Sequence, residues 1–278
     1  MNNITLRKRK LSLGWYPQNP ELIYQFIQNI DNNIKKEKTN NKIAAIVPHA
    51  GWSFSGSLAV ESISNLSSNP DTIVIIGGHL PTKSPILYSP ELVFETPLGN
   101  ITADTEFISN IKLFFNMQTD YSNDNSVEVL LPILKYYYNN SKLVWLRIGS
   151  GNEAIDLGIK IHSIAKKLKR KIVVLGSTDL THYGSVFSFS PKGAGSKAIN
   201  WVKNSNDKDI VNNMLKMNCK AVLASASNNK SACSPGGAVA AIKFAELSGI
   251  NSGELIGYKN SFDISPSESF VGYTGIVF

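Results

Sequence analysis

The runs Ile43-Ala44-Ala45-Ile46-Val47-Pro48-His49 and Thr72-Ile73-Val74-Ile75-Ile76-Gly77-Gly78-His79 decide how this chain folds. Each is a short β-branched and aliphatic stretch without polar alternation, the pattern of a strand buried on both faces. Each stops at proline or glycine and then presents a histidine. Between them, Ser55 to Ser68 reads as a helix. Strand, helix and strand within about 35 residues make one right-handed βαβ unit. A third run repeats the arrangement: Ile172-Val173-Val174-Leu175 leads through Gly176-Ser177-Thr178-Asp179-Leu180-Thr181 to His182. In an open α/β sheet the carboxyl ends of the parallel strands form the ligand crevice. Three of the four histidines are thus expected at one edge of one sheet, placed to hold a metal or move a proton.

Working outward, apolar residues recur at helical spacing over Glu21–Ile34, Asp104–Phe115, Val127–Tyr138 and Glu153–Leu168. Ala198–Val202, Asp209–Met217 and Gly237–Leu247 read as further helices. Lys142–Ile148 and Lys171–Leu175 read as strands, with two more in Leu255–Tyr258 and Phe270–Phe278. No composition break, low-complexity linker or repeat interrupts the series. The expectation is one α/β domain over residues 1–278, its mixed and mostly parallel sheet flanked by helices.

Composition excludes several classes. No apolar stretch approaches the roughly 18 residues that a membrane helix needs. The basic start, Arg7-Lys8-Arg9-Lys10, lacks the continuous apolar segment of a secretory signal. Two cysteines, Cys219 and Cys233, make no disulfide framework, so a reducing, cytoplasmic location is expected. The net charge of +7 invites a nucleic-acid reading, with further clusters at Lys35-Lys36-Lys38 and Lys166–Lys171. No nucleic-acid-binding motif accompanies it, and the last cluster ends a helix, where cations complement the macrodipole. Neither a membrane nor a nucleic acid is the expected partner.

Several residues carry candidate chemistry. Asp179 stands three residues before His182, close enough to fix its tautomer for acid–base work, although it could equally cap a turn. Cys233, in Ser231-Ala232-Cys233-Ser234-Pro235-Gly236-Gly237, precedes an apolar helix whose amino terminus favours thiolate. Cys219 suits an inert, buried role, and His162 has no catalytic neighbours in sequence. Glu128 opens an apolar helix and either complements its dipole or backs a histidine from behind. Trp52, Phe54 and Tyr183 are candidates for stacking surface in a pocket.

Taken in order, these segments resemble the MEMO family, also called AmmeMemoRadiSam system protein B, over nearly the whole length. Gly14-Trp15-Tyr16-Pro17 looks like its amino-terminal signature, and Pro48-His49-Ala50-Gly51-Trp52 its Pro-His-Ala-Gly-aromatic motif. Ser177-Thr178-Asp179-Leu180-Thr181-His182-Tyr183-Gly184 is similar to its Ser-Asp-aromatic/Leu-Ser-His-Tyr-Gly motif. The Cys233 loop and Val271–Phe278 follow in the right order. The chain departs from the family at Gly77-Gly78 before His79, at Asn125 and Leu130, and at Ser234-Pro235.

The resemblance implies a fold similar to class III extradiol ring-cleaving dioxygenases, which hold non-haem iron. Carried over, His49 and His79 would be metal ligands and Cys233 the third, with Asp179 and His182 completing the pocket as acid–base groups. Two imidazoles and a thiolate suit iron(II), copper or zinc, whereas ring-cleaving sites use a carboxylate as third ligand. The expected function is a metal-dependent, dioxygenase-like oxidoreductase acting on an unidentified small molecule. The alternative is a pocket that binds a peptide or partner protein. A third reading makes Cys233 a nucleophile with His182 or His49 as its base. The family name implies a radical-SAM partner.

Overall fold

The computed structural model describes residues 5–34 and 41–278, so the Lys35-Lys36-Lys38 cluster lies outside the described residues. In chain order, β1 (Leu6–Arg7) and α1 (Pro20–Asn33) precede β2 (Ala44–Val47). A π-helical turn, Trp52–Gly56, runs into α2 (Ser57–Ile63) and then β3 (Thr72–Gly77). Next come β4 (Ile86–Tyr88), β5 (Val93–Phe94), β6 (Ile101–Thr102), α3 (Thr105–Lys112) and β7 (Met117–Thr119). They are followed by α4 (Asn125–Glu128), α5 (Leu131–Tyr137), β8 (Lys142–Arg147), α6 (Glu153–Leu168), β9 (Ile172–Ser177) and β10 (His182–Tyr183). One unbroken helical stretch then joins α7 (Ser196–Trp201), a second π-turn (Val202–Asn206) and α8 (Asp207–Leu215). The series finishes with α9 (Cys219–Asn229), α10 (Pro235–Leu247), β11 (Glu254–Asn260) and β12 (Phe270–Val277).

The main sheet runs β10-β12-β2-β9-β3-β8-β4-β7, with β11 also paired to β12. Its centre, β2-β9-β3-β8, is parallel, while β12 lies antiparallel to β2, and β4 antiparallel to β8. This is the mixed, mostly parallel sheet expected from the apolar runs. Every residue of β2, β3 and β9 is buried, and successive side chains enter different cores. Ala44, Ile46, Val74, Ile76 and Val174 pack with α3, α6, α8, α9 and α10. Ala45, Val47, Ile73, Ile75, Val173 and Leu175 pack on the opposite face with α1, α2 and α5. A smaller sheet, β1-β5-β6, packs against β8 of the main one, with Phe94 stacked on Trp145.

Three differences from the sequence reading have physical causes. Val127–Tyr138 is two helices, α4 and α5, because Pro132 lacks the N–H an interior position needs and takes an N-terminal position in α5. Trp52–Gly56 is π-helical, so α2 starts later than expected. Helix α9 was not anticipated; Cys219-Lys220-Ala221-Val222-Leu223-Ala224-Ser225-Ala226-Ser227 is polar and small, with a weak apolar stripe, and Asn218 starts it by capping Ala221 N–H. Among the described residues no helix is long and apolar enough to cross a membrane.

The crevice is set by close packing of α10 on the sheet. A Cβ on Gly237 would lie 2.3 Å from the Ile76 carbonyl oxygen, and one on Gly176 2.4 Å from that of Gly237. Only glycine lets this helix start so near the strand ends, and Cys233 stands two residues before it.

Candidate metal centre

His49 and His79 follow β2 and β3, but these strands are not neighbours. Strand β9 lies between them, so its extension Ser177–Asp179 runs between the two histidine loops. That placement explains the contacts of His49. Its backbone N–H donates to Asp179 Oδ1 at 2.8 Å, and its Nδ1 meets Ser177 Oγ at 2.8 Å. Its carbonyl accepts from Asn125 Nδ2 at 2.8 Å. The ring is thereby held with Nε2 pointing into the crevice.

His79 is held from the other side. Its backbone is left-handed, with φ of +58°, and its N–H donates to Ser234 Oγ. Nδ1 donates to Asp124 Oδ2 at 2.8 Å; a carboxylate only accepts, so the proton of the neutral ring sits on Nδ1 and leaves Nε2 as its basic nitrogen. Asp124 is itself anchored by Arg147 Nη2 at 3.0 Å, and Arg147 Nε donates to the Gly78 carbonyl at 2.9 Å. Arg147 also reaches Asp120, which takes the Trp145 indole N–H.

The two imidazoles meet with their Nε2 atoms 3.2 Å apart, and Cys233 Sγ lies 3.2 Å from His49 Nε2. Ligand atoms of His49, His79 and Cys233 all lie within 4.8 Å of one another, a grouping able to hold a metal ion. Cys233 Sγ also accepts the Asp179 backbone N–H at 3.3 Å. His182 Nε2 stands 3.9 Å from Asp179 Oδ2, an ionic separation and not a hydrogen bond. Buried and without a hydrogen-bond partner, that nitrogen is the one orphan of the cluster. Asp179 Oδ2 is also 3.9 Å from His49 Nε2, so the carboxylate sits between the two rings.

These contacts shift the ionisation of every member. Burial opposes a thiolate at Cys233, but the charge of His49 and the approach of the His182, His49 and His79 imidazoles, with His49 in close hydrogen-bond contact, hold the thiol well below its ordinary range. Burial also disfavours charge on His79, yet the hydrogen bonds to Asp124 and Cys233 outweigh it and push the imidazole up to about 10. Against the burial penalty, His79, Ser126 and Arg147 draw Asp124 down to about 2. His49 and His182 are raised in spite of burial by Asp179 and Cys233. Asp179 is raised because burial outweighs its attraction to His49.

Of the other residues singled out in the sequence, Glu128 does not back a histidine. Its carboxylate accepts from the Lys10 and Leu11 backbone N–H groups and the Tyr16 hydroxyl, tying down the amino-terminal segment. Trp52 and Tyr183 offer no stacking surface. The Trp52 indole donates to the Val129 carbonyl and packs on Phe26 and Tyr16. Tyr183 is fully buried, stacked on Phe270 with ring centroids 5.1 Å apart. In a two-residue strand adjacent side chains face opposite ways, so His182 in the crevice sends Tyr183 behind the sheet. Cys219 is buried, and burial pushes its thiol up to about 11. Sequence reasoning missed Asp124, Arg147 and Ser177. The available signal was Arg147, a charge closing the otherwise apolar run of β8 at the same sheet edge as the histidines.

An α/β fold with two histidines and a cysteine converging at the carboxyl edge of its parallel strands defines the class. The model of the Memo-like protein family matches residues 7–277, and the chain belongs to that family. A MEMO1 family protein of Thermococcus onnurineus is 30% identical over 281 residues, covering 95% of this chain and 96% of its own. One from Thermococcus kodakarensis is 30% identical over 283 residues, with the same coverage. One from Pyrococcus furiosus is 29% identical over 290 residues, covering 98% of each. Among solved structures, an uncharacterised Escherichia coli K12 protein superposes with a TM-score of 0.54 at 10% identity, over 86% of this chain and all of that one. That likeness concerns the fold alone.

Proposed function

We propose that this protein binds a metal ion through His49 Nε2, His79 Nε2 and Cys233 Sγ and acts as a dioxygenase-like, non-haem metal oxidoreductase. One observation carries the reading. Both imidazoles commit their outer nitrogens elsewhere and turn their basic nitrogens on each other at 3.2 Å, with a thiolate-favouring sulfur at the same distance. Three electron-pair donors aimed at one point repel unless a cation or shared proton stands there. The orphaned His182 Nε2 at the edge of the cluster supports an open position for a reactant.

Two imidazoles and one thiolate accept iron(II), copper or zinc, and iron(II) is our choice. Such an ion would supply Lewis acidity and, if iron or copper, redox chemistry at the open position. The chain's own part is derived from its contacts. Asp124 fixes the tautomer of the neutral His79 ring and Ser177 holds the orientation of His49, as outer partners do in metal sites generally. His182 Nε2 faces the cluster and can exchange a proton with a bound reactant, and Cys233 and Asp179, the latter at 3.9 Å, favour its imidazolium form. The Phe187 ring, 4.8 Å from that of His182, and the exposed Val186 beside it give the crevice an apolar lip. An apolar or aromatic small molecule fits that lip.

The exposed Val186, beside Phe187 at the crevice lip, supports a second reading in which the crevice receives an apolar peptide. Elemental analysis of anaerobically purified protein decides between them. Near-stoichiometric iron or copper, lost in a His49→Ala/His79→Ala double variant, is expected. No metal in either sample after reconstitution would overturn the metalloenzyme reading in favour of the peptide.

A further inference from the structure

Asp207 is a fully buried carboxylate that the proposed centre does not use. It opens α8 directly after the π-turn Val202–Asn206, and no lysine or arginine pairs with it among the described residues. Burial pushes its carboxyl up to about 6 in spite of its hydrogen bonds. A buried carboxylate lacking a cation is costly, so its contacts call for an explanation.

Those contacts converge on one residue of the site loop. Asp207 Oδ1 accepts the Thr181 backbone N–H at 3.1 Å and the Thr181 hydroxyl as well. Asn206, brought to the same side by the π-turn, donates from Nδ2 to Thr181 Oγ1 at 2.9 Å and to the Asn229 carbonyl at 3.0 Å. The other carboxylate oxygen takes the Tyr258 hydroxyl at 2.8 Å. The approach is possible because Gly272 has no side chain; a Cβ there would stand 1.9 Å from Asp207 Oδ2. Gly272 in turn bonds Leu180 and Thr181 through its backbone. Thr181 is thus clamped from α8 and from β12.

Thr181 lies between Asp179 and His182. The His182 ring makes no close hydrogen bond at its buried Nε2; within the crevice only the attraction of Cys233 and Asp179 and the packing of Phe187 act on it. Its aim therefore depends on where its backbone is held, and the groups that hold that backbone are the clamp and the pairing of β10 with β12. We infer that Asp207, assisted by Asn206, is a positioning residue that aims His182 into the His49–His79–Cys233 cluster by gripping Thr181. This rests on the reading of His182 as a group of the site. A π-helical insertion retained beside a functional loop fits such a role.

The test uses full-length metal-free protein with 15N-labelled histidine. Long-range 1H–15N spectra report the environment and tautomer of each ring. Thr181→Val keeps the shape and loses the hydroxyl donor, whereas Thr181→Ser keeps the donor; Asp207→Asn replaces the acceptor. Thr181→Val and Asp207→Asn are expected to shift the His182 ring resonances by more than a linewidth. Thr181→Ser should restore the wild-type positions, and His162 on α6 should stay unmoved in all three. Unchanged His182 resonances in Thr181→Val, with only a lower melting temperature, would make the clamp a plain structural tie and overturn the inference. If Asp207→Asn does not fold, the Val and Ser variants decide alone. Metal content measured on the same proteins keeps the two claims apart, since wild-type protein without metal would sink the metal centre and leave the ring result standing.

Discussion

At the scale of single residues, the site separates groups that face the crevice from groups that turn them. Asp124 fixes the tautomer of the neutral His79 ring, so under the proposed metal site Asp124→Asn should weaken metal binding by about 10- to 100-fold while leaving the fold intact. Competition with a chromophoric chelator measures this, and unchanged affinity would remove Asp124 from the site's support. The two cysteines should also part company. Iodoacetamide should alkylate metal-free Cys233 rapidly at pH 7, because its neighbours favour thiolate, and a bound metal should block it. Cys219, buried and pushed up to about 11, should stay unmodified, as mass spectrometry of tryptic peptides would show.

Residue by residue, the ligand candidates were legible because His49, His79 and Cys233 each stand at a boundary the chain advertises: two strand ends and a helix start. Their supports were not legible. Asp124 reads as an ordinary helix cap, and it does accept the Ser126 N–H; nothing local reveals that its other oxygen reaches a residue 45 positions away. Glu128 turns away from the histidines because the short α4 ends with it, which aims its carboxylate at the Lys10–Leu11 backbone.

Among the elements, α10 matters most for the site. Its packing against β3 and β9 depends on bare backbone, so Gly237→Ala forces a methyl to within 2.3 Å of the Ile76 carbonyl oxygen. A destabilisation of about 1–3 kcal/mol is expected from such overpacking. Displacement of the Cys233 loop should bring weaker metal binding with it. Urea unfolding and metal titration of the same variant test both effects, and a loss of stability with unaltered affinity would mean that the loop moves independently of the helix. Strand runs were the most readable elements, since β2, β3, β8 and β9 are apolar on both faces. The π-turns were not readable: the chain around Trp52 carries ordinary helix signals, and only packing shows that one extra residue per turn swings the indole inward to Val129. The short strands β4 to β7 are too brief for any periodicity to register.

For the molecule as a whole, pH dependence in the metal-free protein has opposing contributions: Cys233, held well below its ordinary thiol range, contributes stability that is lost as pH falls from about 9, and three further groups act beside it. Asp124 is drawn from 3.8 down to about 2, so its stabilising contribution is present above about 4 and lost as pH falls through 2. His79 is raised from 6.5 to about 10, so its contribution is complete below 6.5 and lost as pH rises through 10. Asp207, raised from 3.8 to about 6, acts in the same sense as His79, because the fold prefers its protonated form. The stability difference between wild-type protein and His79→Ala should therefore be largest below pH 6.5 and shrink toward pH 10. Melts followed by circular dichroism between pH 3 and 10 check it; parallel curves for the two proteins would contradict the assignment. The α/β class and the order of the major elements could be read from the chain, but the order of strands across the sheet could not. Insertion of β9 between β2 and β3, and of β12 beside β2, depends on long-range pairing that no local segment encodes.

That insertion of β9 has a consequence for the sequence of events in folding. His49 and Cys233 are 184 positions apart, and the strand that separates the two histidine loops forms from residues made long after both. Metal capture cannot nucleate the fold as zinc does in a small finger domain, where binding and folding are one event. An ion held by His49, His79 and Cys233 would find its third donor only after this topology had formed, so it would seal the fold and not start it.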